Sequence, residues 1–363
     1  MKKTIIRTAA ALIAAVLLLP CRAQAISAQK AILMDAQTGR VIYEKDANSR
    51  SLIASTTKIM TALVVCEQCN VLDRMRIPKE AVGIEGSSMY LKEGEVLTIQ
   101  ELLYGLMLHS GNDAAVALAI YCAGTVEGFV QMMNDKAYRL GLTGTNFENP
   151  NGLDSPAHYS TARDLAVLTA YAMQNPIFCK SVSTKNVRIG QRNLQNHNKL
   201  LWRVDGADGV KTGYTKAAGR ILVSSALREG RRLICVTIND GNDWADHQLL
   251  LEDGFNRYEN KTIIRAGDVL GQRAVVGGEI DAVDLVATQD FSFALAEQEQ
   301  PQILLSGVEF DYAPVVQGGE AGYAYVLLGE NVIGKVPVAY ADTVEQIKQP
   351  EKKPFWKRLL GGS

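Results

Sequence analysis

The spacing of apolar residues changes along the chain and predicts a sheet interrupted by a helical region. Two apolar, β-prone runs, 30–35 and 40–44, flank Ala36-Gln37-Thr38-Gly39, a pattern typical of a hairpin. Apolar positions then recur at helical spacing in the segments 55–65, 98–108, 113–122, 129–140 and 161–172. Strand patterns return at 209–214, 220–227 and 232–238. We therefore expect an antiparallel sheet that is closed by the two ends of this region and flanked by helices.

A different pattern begins near residue 261 and predicts a second, all-β domain. Short alternating runs, separated by glycines, occupy 274–276, 284–287, 323–328 and 332–338. A helical pattern at 244–258 precedes them and would cover one face of the first sheet. The predicted fold class is mixed α/β (α+β), with a first domain over 26–260, a small all-β domain over 261–345 and a tail over 346–363.

The first 25 residues have the features of a secretory signal peptide. Lys2, Lys3 and Arg7 supply positive charge, the run 9–19 is apolar, and Ala23-Gln24-Ala25 is a small-residue cleavage site. The alternative is an uncleaved anchor, but the apolar run is shorter than the roughly 20 residues that a spanning helix needs. We expect an exported protein whose mature chain begins near Ile26.

The tail mixes basic and apolar residues. It contains Lys352, Lys353, Phe355, Trp356, Lys357, Arg358, Leu359 and Leu360. This composition favours a short amphipathic segment that attaches peripherally to a membrane surface. The alternative is a frayed, solvated terminus.

The overall composition is that of a globular protein, with 47% hydrophobic and 21% charged residues. The 38 basic and 39 acidic residues give a formal net charge of −1, which argues against a nucleic-acid partner. His109, His158, His197 and His247 are dispersed without metal-ligand spacing, so the sequence predicts neither a metal site nor a cofactor. We expect His109 and His158 to be structural hydrogen-bonding residues.

The six cysteines do not form a complete disulfide framework. Removal of the signal peptide would leave five, so at least one thiol stays free. Cys66-Glu67-Gln68-Cys69 has the spacing of a redox or half-zinc motif, but it lies at the end of an apolar helix and no second pair accompanies it. The pattern favours a structural pair at a helix end, with a local disulfide as one form of it.

Ser55-Thr56-Thr57-Lys58 is the first motif with catalytic chemistry. On a helix, the three-residue spacing puts the Ser55 hydroxyl and the Lys58 amine on one face, about one turn apart. A serine nucleophile needs a base, and a lysine can be one when burial or a neighbouring cation lowers its pKa. The helix N-terminus adds positive charge where an acyl oxyanion would form. Alone, such a motif is more often an ordinary helix start with a capping serine.

Two further motifs follow along the chain. Ser110-Gly111-Asn112 lies between two predicted helices and offers a hydroxyl and an amide that can relay a proton and orient a substrate amide. Lys211-Thr212-Gly213 lies on a predicted strand, where Lys211 and Gly213 share one face and Thr212 the other. A cation there suits an anionic group, and the glycine allows close approach to the backbone.

The three motifs, in this order on a helix start, a loop and a strand, form a set that recurs in penicillin-binding proteins and class A β-lactamases. The sequence resembles the low-molecular-mass D-alanyl-D-alanine carboxypeptidases, the penicillin-binding protein 5 family, over nearly the whole mature chain. The segments 86–91, 145–153 and 158–165 also look like segments of that family.

The resemblance implies an exported serine peptidase that acts outside the cytoplasm. It would remove the terminal D-Ala from peptidoglycan stem pentapeptides through an acyl-enzyme and would be blocked by β-lactams. The resemblance implies that Ser55 is the nucleophile, Lys58 the proton acceptor and Ser110 the proton relay. It also implies that Asn112 holds the substrate amide and that Lys211 helps to bind the substrate carboxylate. Thr212, Gly213 and Tyr214 would continue the substrate-binding strand, and the N–H groups of Ser55 and Tyr214 would form the oxyanion hole.

Three alternatives share parts of this machinery. A class A β-lactamase needs an additional glutamate to activate water, and Glu148 lies in a plausible loop, although the loop is more simply a turn. An endopeptidase that cuts D-Ala cross-links would use the same motifs, but the extra β-domain favours a carboxypeptidase. A catalytically silent cell-wall-binding sensor would not require the nucleophile and the base together.

Overall fold

The computed structural model describes residues 26–348, so the predicted signal peptide and most of the predicted tail lie outside the described residues. The described chain divides into two compact units. The first comprises residues 26–36 and 41–252, and the second comprises residues 37–40 and 253–348.

The first unit is built on an antiparallel sheet that joins its two ends, as predicted. Its strands and short hairpins are β1 (Lys30–Asp35), β2 (Val41–Lys45), β3 (Arg74–Arg76), β4 (Val96–Thr98), β5 (Asn186–Ile189), β6 (Arg192–Gln195), β7 (Ala207–Thr215), β8 (Gly219–Arg228) and β9 (Arg231–Ile238). Five of them form one sheet in the order β2-β1-β9-β8-β7. The pairing of β1 with β9, for example Ala31 opposite Thr237, closes the sheet across the whole unit.

Helices pack around this sheet, and one of them is buried among the others. They are α1 (Lys58–Gln68), α2 (Ile99–Leu108), α3 (Asn112–Ala123), α4 (Val126–Arg139), α5 (Ala162–Ala172), α6 (Pro176–Ser183) and α7 (Asp243–Arg257). Every residue of α1 from Lys58 to Cys66 is buried, because the other helices and β7 pack around it. Within residues 26–348, no single helix has the length and apolar character to cross a membrane, although α3 and α4, bent by 85°, pass the test when joined.

α7 covers the sheet through a buried histidine, in agreement with the predicted position of this helix. His247 Nδ1 lies 2.6 Å from Ser224 Oγ on β8, and its Nε2 lies 3.0 Å from Thr237 Oγ1 on β9. Burial lowers the pKa of His247 to about 3, so the ring is neutral and fully hydrogen-bonded at neutral pH.

The second unit is all-β, as predicted. Its strands are β10 (Tyr258–Ile264), β11 (Val269–Val276), β12 (Ala282–Ala287), β13 (Phe291–Ala296), β14 (Gln302–Leu305), β15 (Phe310–Tyr312), β16 (Glu320–Leu328) and β17 (Asn331–Tyr340). Six form a sheet in the order β14-β16-β17-β12-β11-β15, and β10 pairs with β13. Alternate apolar residues such as Ala324, Val326, Val336 and Val338 are buried in its core, which explains the period-two pattern of the sequence.

Candidate active site

Ser55 lies in a 3-10 turn, Ala54–Thr57, that leads directly into α1, rather than in the α-helix itself. Ala54 has φ +44, so the chain turns sharply just before the serine. The Thr56 and Thr57 hydroxyls donate to the carbonyls of Ile53 and Ala54, and these bonds stabilise the tight turn. The predicted spacing still holds, because Lys58 Nζ lies 3.0 Å from Ser55 Oγ.

The Lys58 amine is held by two acceptors in addition to Ser55. Asn112 Oδ1 accepts from Nζ at 2.6 Å, and the Asn151 carbonyl also accepts from it. Lys58 is completely buried. Burial, and secondly the positive charge of Lys211, hold the pKa of Lys58 well below its ordinary value, although Asp113 opposes the shift.

Three possible acceptors surround the amine, so these contacts suit a charged lysine as well as a neutral one, and the lowered pKa favours the neutral form. A neutral lysine has two N–H groups and one lone pair, whereas a charged one has three N–H groups and no lone pair. Asn112 Oδ1 and the Asn151 carbonyl can accept only, so they take the two N–H groups. In the neutral form the lone pair is left for the Ser55 hydroxyl, and this is the arrangement in which Lys58 can remove its proton.

The loop between α2 and α3 brings Ser110 to the same place. Ser110 is 5% exposed. Its φ of +62 is a backbone conformation that few L-residues adopt. Gly111 N–H donates to the Gly105 carbonyl, and Asn112 N–H donates to the Ser87 carbonyl at 2.7 Å. Asn112 Nδ2 donates to the Glu85 carbonyl, so both ends of this amide are already engaged. Asn112 thus positions Lys58; it is 4% exposed and is not among the residues that line the cleft, so the predicted contact with a substrate amide stays a prediction.

Asp113 organises the segment that lies beside this loop. Its buried carboxylate accepts from the N–H groups of Met89 and Leu91, at 3.1 and 3.0 Å, and from Ser88 Oγ at 2.6 Å. The segment 85–91 is thereby fixed against α3, which places Ser87 at the edge of the cleft.

On β7 the side chains alternate as the sequence predicted. Lys211 is 1% exposed and Gly213 is buried, whereas Thr212 is half-buried and Tyr214 is exposed. Lys211 Nζ donates to the Thr212 carbonyl at 2.8 Å, and burial lowers its pKa to about 7. Lys211 therefore lies behind the strand near Lys58, whereas Thr212 and Tyr214 are accessible and the buried Gly213 lines the cleft.

Gly213 is needed for a close approach within the chain. A Cβ on this residue would lie 3.2 Å from the Ile53 carbonyl oxygen and 3.3 Å from Ser55 N. The sequence suggested that this glycine admits a ligand to the backbone, but its immediate neighbour is the nucleophile's own turn. This contact puts the strand that carries Tyr214 beside Ser55.

A cleft of about 340 Å³ joins these residues. It is lined by Ser55, Ser87, Ser110, His197, Thr212, Gly213, Tyr214, Arg220, Ile221, Asp243 and Trp244. The three predicted motifs therefore meet at one place, although they are far apart in sequence. Serine hydroxyls, a strand edge and a buried amine with a lowered pKa are the components of an acyl-transfer site.

Residues 19–242 match the family model for D-alanyl-D-alanine carboxypeptidase, and residues 258–346 match the model for the penicillin-binding protein 5 C-terminal domain. The chain belongs to the D-alanyl-D-alanine carboxypeptidase family. This membership confirms the predicted family and fold class, and it makes the protein a serine peptidase that acts on the cell wall outside the cytoplasm.

Named relatives in this family cover most of the chain. The D-alanyl-D-alanine carboxypeptidase DacF of Bacillus subtilis is 31% identical over 350 residues, which are 92% of this chain and 89% of that protein. DacD of Escherichia coli is 36% identical over 75% of this chain and 74% of its own length. Penicillin-binding protein 5 of Haemophilus influenzae has a similar structure, with a TM-score of 0.77, 30% identity, and coverage of 89% of this chain and 98% of that one.

Several residues of this carboxypeptidase site were not identified from the sequence. They are the Asn151 carbonyl and the cleft residues Ser87, His197, Arg220, Ile221, Asp243 and Trp244. Asn151 and Ser87 lie in segments that resemble the family, so the sequence marked their positions but indicated no role for them. Arg220 and Asp243 form an ion pair, with Arg220 Nε 3.1 Å from Asp243 Oδ2. No sequence pattern marks an ion pair between two residues that are 23 positions apart.

The histidines near the motifs have different roles. His158 Nδ1 accepts from the Glu148 N–H at 3.0 Å, so its Nε2 carries the proton and donates to Thr57 Oγ1 at 2.7 Å. Burial lowers the pKa of His158 to about 4, and its predicted structural role is confirmed by these bonds. His109 differs from the prediction, because its buried Nδ1 has no hydrogen-bond partner among residues 26–348; its ring lies 5.1 Å from that of His197.

Glu148, the residue considered for a β-lactamase, belongs to a turn. Its carboxylate accepts from Ser155 Oγ and from the Ala157 N–H, and it is not among the residues that line the cleft. The loop therefore uses this glutamate to hold its own backbone.

The cysteine prediction was wrong in its pairing. Cys69 bonds to Cys122 at the end of α3, 53 residues away, and Cys66 stays free. Cys66 points into the core, and burial raises the pKa of its thiol to about 12. Cys69 is the residue at which α1 ends, and its backbone is extended. The disulfide thus ties α1, which carries Lys58, to α3, which carries Asn112.

Proposed function

We propose that the protein removes the terminal D-Ala from peptidoglycan stem pentapeptides, with Ser55 as the nucleophile and Lys58 as its base. The observation that carries this proposal is the Lys58 amine, which is buried, has a lowered pKa and lies 3.0 Å from Ser55 Oγ. Lys58 takes the Ser55 proton while Oγ attacks the carbonyl carbon of the penultimate D-Ala. The N–H groups of Ser55 and Tyr214 stabilise the oxyanion, supported by the close packing of Gly213 on the Ser55 turn.

The leaving D-Ala needs a proton, and Ser110 is placed to relay one. It lines the same cleft as Ser55 and belongs to the loop that supplies Asn112 to Lys58. Thr212 binds the terminal carboxylate where the strand surface meets this loop, and the charge of the buried Lys211 helps this binding from behind the strand. Water then hydrolyses the acyl ester, and a β-lactam, which mimics the D-Ala-D-Ala terminus, acylates Ser55 in the same way.

Mass spectrometry of the mature protein after incubation with penicillin tests this proposal. We expect one penicillin adduct on the wild type and none on Ser55→Ala or Lys58→Met, and we expect D-Ala release from a pentapeptide by the wild type alone. Lys58→Met keeps an unbranched side chain, one atom shorter, and removes the amine, and urea unfolding checks that each variant is folded. Adduct formation by folded Lys58→Met would remove Lys58 from its role as base.

We also propose that residues 1–25 direct export and that residues 346–363 attach the protein to the membrane surface. The charge and apolar run of the first segment, and the alternation of basic and aromatic residues in the second, support this. N-terminal sequencing of the exported protein should give a start near Ile26. Truncation after residue 348 should abolish sedimentation with anionic vesicles and leave D-Ala release unchanged.

A further inference from the structure

Two buried carboxylates meet where β9 leads into α7. Asp240 lies between these elements and Asp246 lies in the first turn of α7, and the two residues are 0% and 6% exposed. They are close enough to hydrogen-bond to each other. Burial, and then the charge of Asp240 and this hydrogen bond, raise the pKa of Asp246, although bonds from Ser27 oppose the shift. The site therefore concentrates negative charge where water hardly reaches.

Ser27 bridges the two carboxylates. Its N–H donates to Asp246 Oδ2 at 2.5 Å, and its Oγ lies 2.5 Å from Asp240 Oδ1 and 2.9 Å from Asp246 Oδ2. A hydroxyl has one proton, so it can donate to only one of these oxygens at a time. Asp240 Oδ2 is also buried and has no hydrogen-bond partner among residues 26–348. The site thus has more acceptors than donors.

No side-chain cation among residues 26–348 forms an ion pair with Asp240 or Asp246. Lys45 approaches the same segment, but its Nζ donates to two backbone carbonyls on either side of Ser27, at 2.6 and 3.4 Å. His247 is neutral and bonded through both ring nitrogens. The N-terminus of α7 supplies only roughly half an elementary charge. One further cation would balance the pair.

The N-terminus of the proposed mature chain would lie at this site. Ile26 is 5% exposed, so packing holds its position. Three covalent bonds separate Ile26 N from Ser27 N, and the two nitrogens are therefore less than about 4 Å apart. Because Ser27 N is 2.5 Å from Asp246 Oδ2, an amino group on Ile26 would lie within roughly 6.5 Å of that carboxylate. Opposite charges interact favourably at such distances.

We propose that removal of the signal peptide completes this site, because the new α-ammonium group of Ile26 binds the Asp240–Asp246 pair as an internal cation. The inference rests on the cleavage before Ile26 that was proposed above. Before cleavage this nitrogen is an uncharged amide with one N–H, whereas afterwards it is a cation with three N–H donors. The ammonium group neutralises one carboxylate and supplies the donor that Asp240 Oδ2 lacks.

The site is connected to the rim of the catalytic cleft. The Asn242 N–H donates to Ser27 Oγ at 3.1 Å and to Asp240 Oδ1 at 3.0 Å. The next two residues, Asp243 and Trp244, line the cleft. Processing therefore stabilises the turn that presents both side chains to the cleft, and the cleaved form is more stable than the precursor.

The test compares two chains of equal net charge. One begins at Ile26, and the other retains residues 24–25, which moves the ammonium group away by up to about 7 Å. Both chains are prepared unchanged, with Asp240→Asn and Asp246→Asn together, and with Asp253→Asn as the matched control. Asp253 is on the same helix, about two turns further along, and its side chain is 37% exposed. Urea unfolding measures the stability of each chain.

We expect the unfolding equilibrium constant to be about tenfold lower for the chain that begins at Ile26, the effect of one hydrogen bond to a charged group. The double variant should reduce this difference to within about twofold, and Asp253→Asn should keep it. Cyanate, which reacts only with an uncharged amine, gives a second measurement. Relative to the unfolded chain, the folded chain that begins at Ile26 should react about tenfold more slowly than the longer one, and the double variant should remove this difference.

Equal stability of the two unchanged chains would overturn the inference and would mean that the two carboxylates share a proton instead. A difference that survives in the double variant would overturn it as well, because the ammonium group would then act elsewhere. If the double variant does not fold, equal cyanate rates for the two unchanged chains would contradict the ion pair.

N-terminal sequencing of the exported protein separates this inference from the proposed processing. A start at another residue would refute the cleavage site, and the inference with it. A start at Ile26 together with equal stabilities would refute the inference alone.

Discussion

Gly152 is the position where a single added methyl group should disturb the catalytic site most directly. It has φ +89, and a Cβ there would lie 1.9 Å from the Ala54 carbonyl oxygen and 3.0 Å from Ser55 N. Both neighbours are backbone atoms of the turn that carries the nucleophile. The preceding residue, Asn151, supplies the carbonyl that accepts from Lys58. A shift of this loop would therefore move the nucleophile's turn and the base's partner together.

The cost of Gly152→Ala has two parts. A left-handed backbone conformation costs an L-residue roughly 1–2 kcal/mol. Forcing a methyl group into a packed site adds about 1–3 kcal/mol, because the backbone must move. We therefore expect the free energy of unfolding to fall by about 2–5 kcal/mol. A displacement of the reacting groups on the order of 1 Å should slow acylation by roughly 100-fold.

Gly141→Ala is the matched control. Gly141 also has a positive φ, +70, but a Cβ there meets no atom within 4 Å. It should lose only the conformational part, about 1–2 kcal/mol, and keep its acylation rate. Urea unfolding gives the two stabilities, and the rate of penicillin adduct formation, followed by mass spectrometry below the unfolding transition, gives the catalytic effect. If the two variants lose equal stability and both acylate normally, the argument from the Ala54 contact is wrong.

Three further predictions concern Lys58, the disulfide and His247. The acylation rate constant should rise with pH through an ionisation below the usual lysine range, because only neutral Lys58 accepts the Ser55 proton; a flat profile between about pH 5 and pH 9 would contradict this. Replacing Cys69 and Cys122 together with alanine should lower the free energy of unfolding by about 4 kcal/mol, which is the loop-closure value for a separation of 53 residues. An unchanged urea midpoint would argue against the bond. Stability should rise as the pH increases from about 4 to about 7, because His247, whose pKa is about 3 when folded, takes up a proton in that window only on unfolding. His158 and His197, whose folded pKa values are about 4, contribute to the same rise. His247→Asn should therefore reduce the rise without abolishing it, as urea titrations at each pH will measure.

Local patterns in the sequence determined the elements and the identity of the reactive groups. Helical spacing predicted α1 to α5, and the apolar runs predicted β1, β2 and β7 to β9, because periodicity depends on neighbours along the chain. The three-residue spacing of Ser55 and Lys58 likewise fixed their contact, which lies within one turn. The family resemblance followed from these motifs and was confirmed.

Only the tertiary structure decided how these groups work. The acceptors that leave Lys58 with a free lone pair, Asn112 and Asn151, are 54 and 93 residues away from it. The lowered pKa of Lys58 comes from burial among other helices and from Lys211 on a distant strand. The pairing of Cys69 with Cys122 depends in the same way on how α1 and α3 pack. Burial and long-range contacts arise when separate elements assemble, so no local pattern of residues contains them.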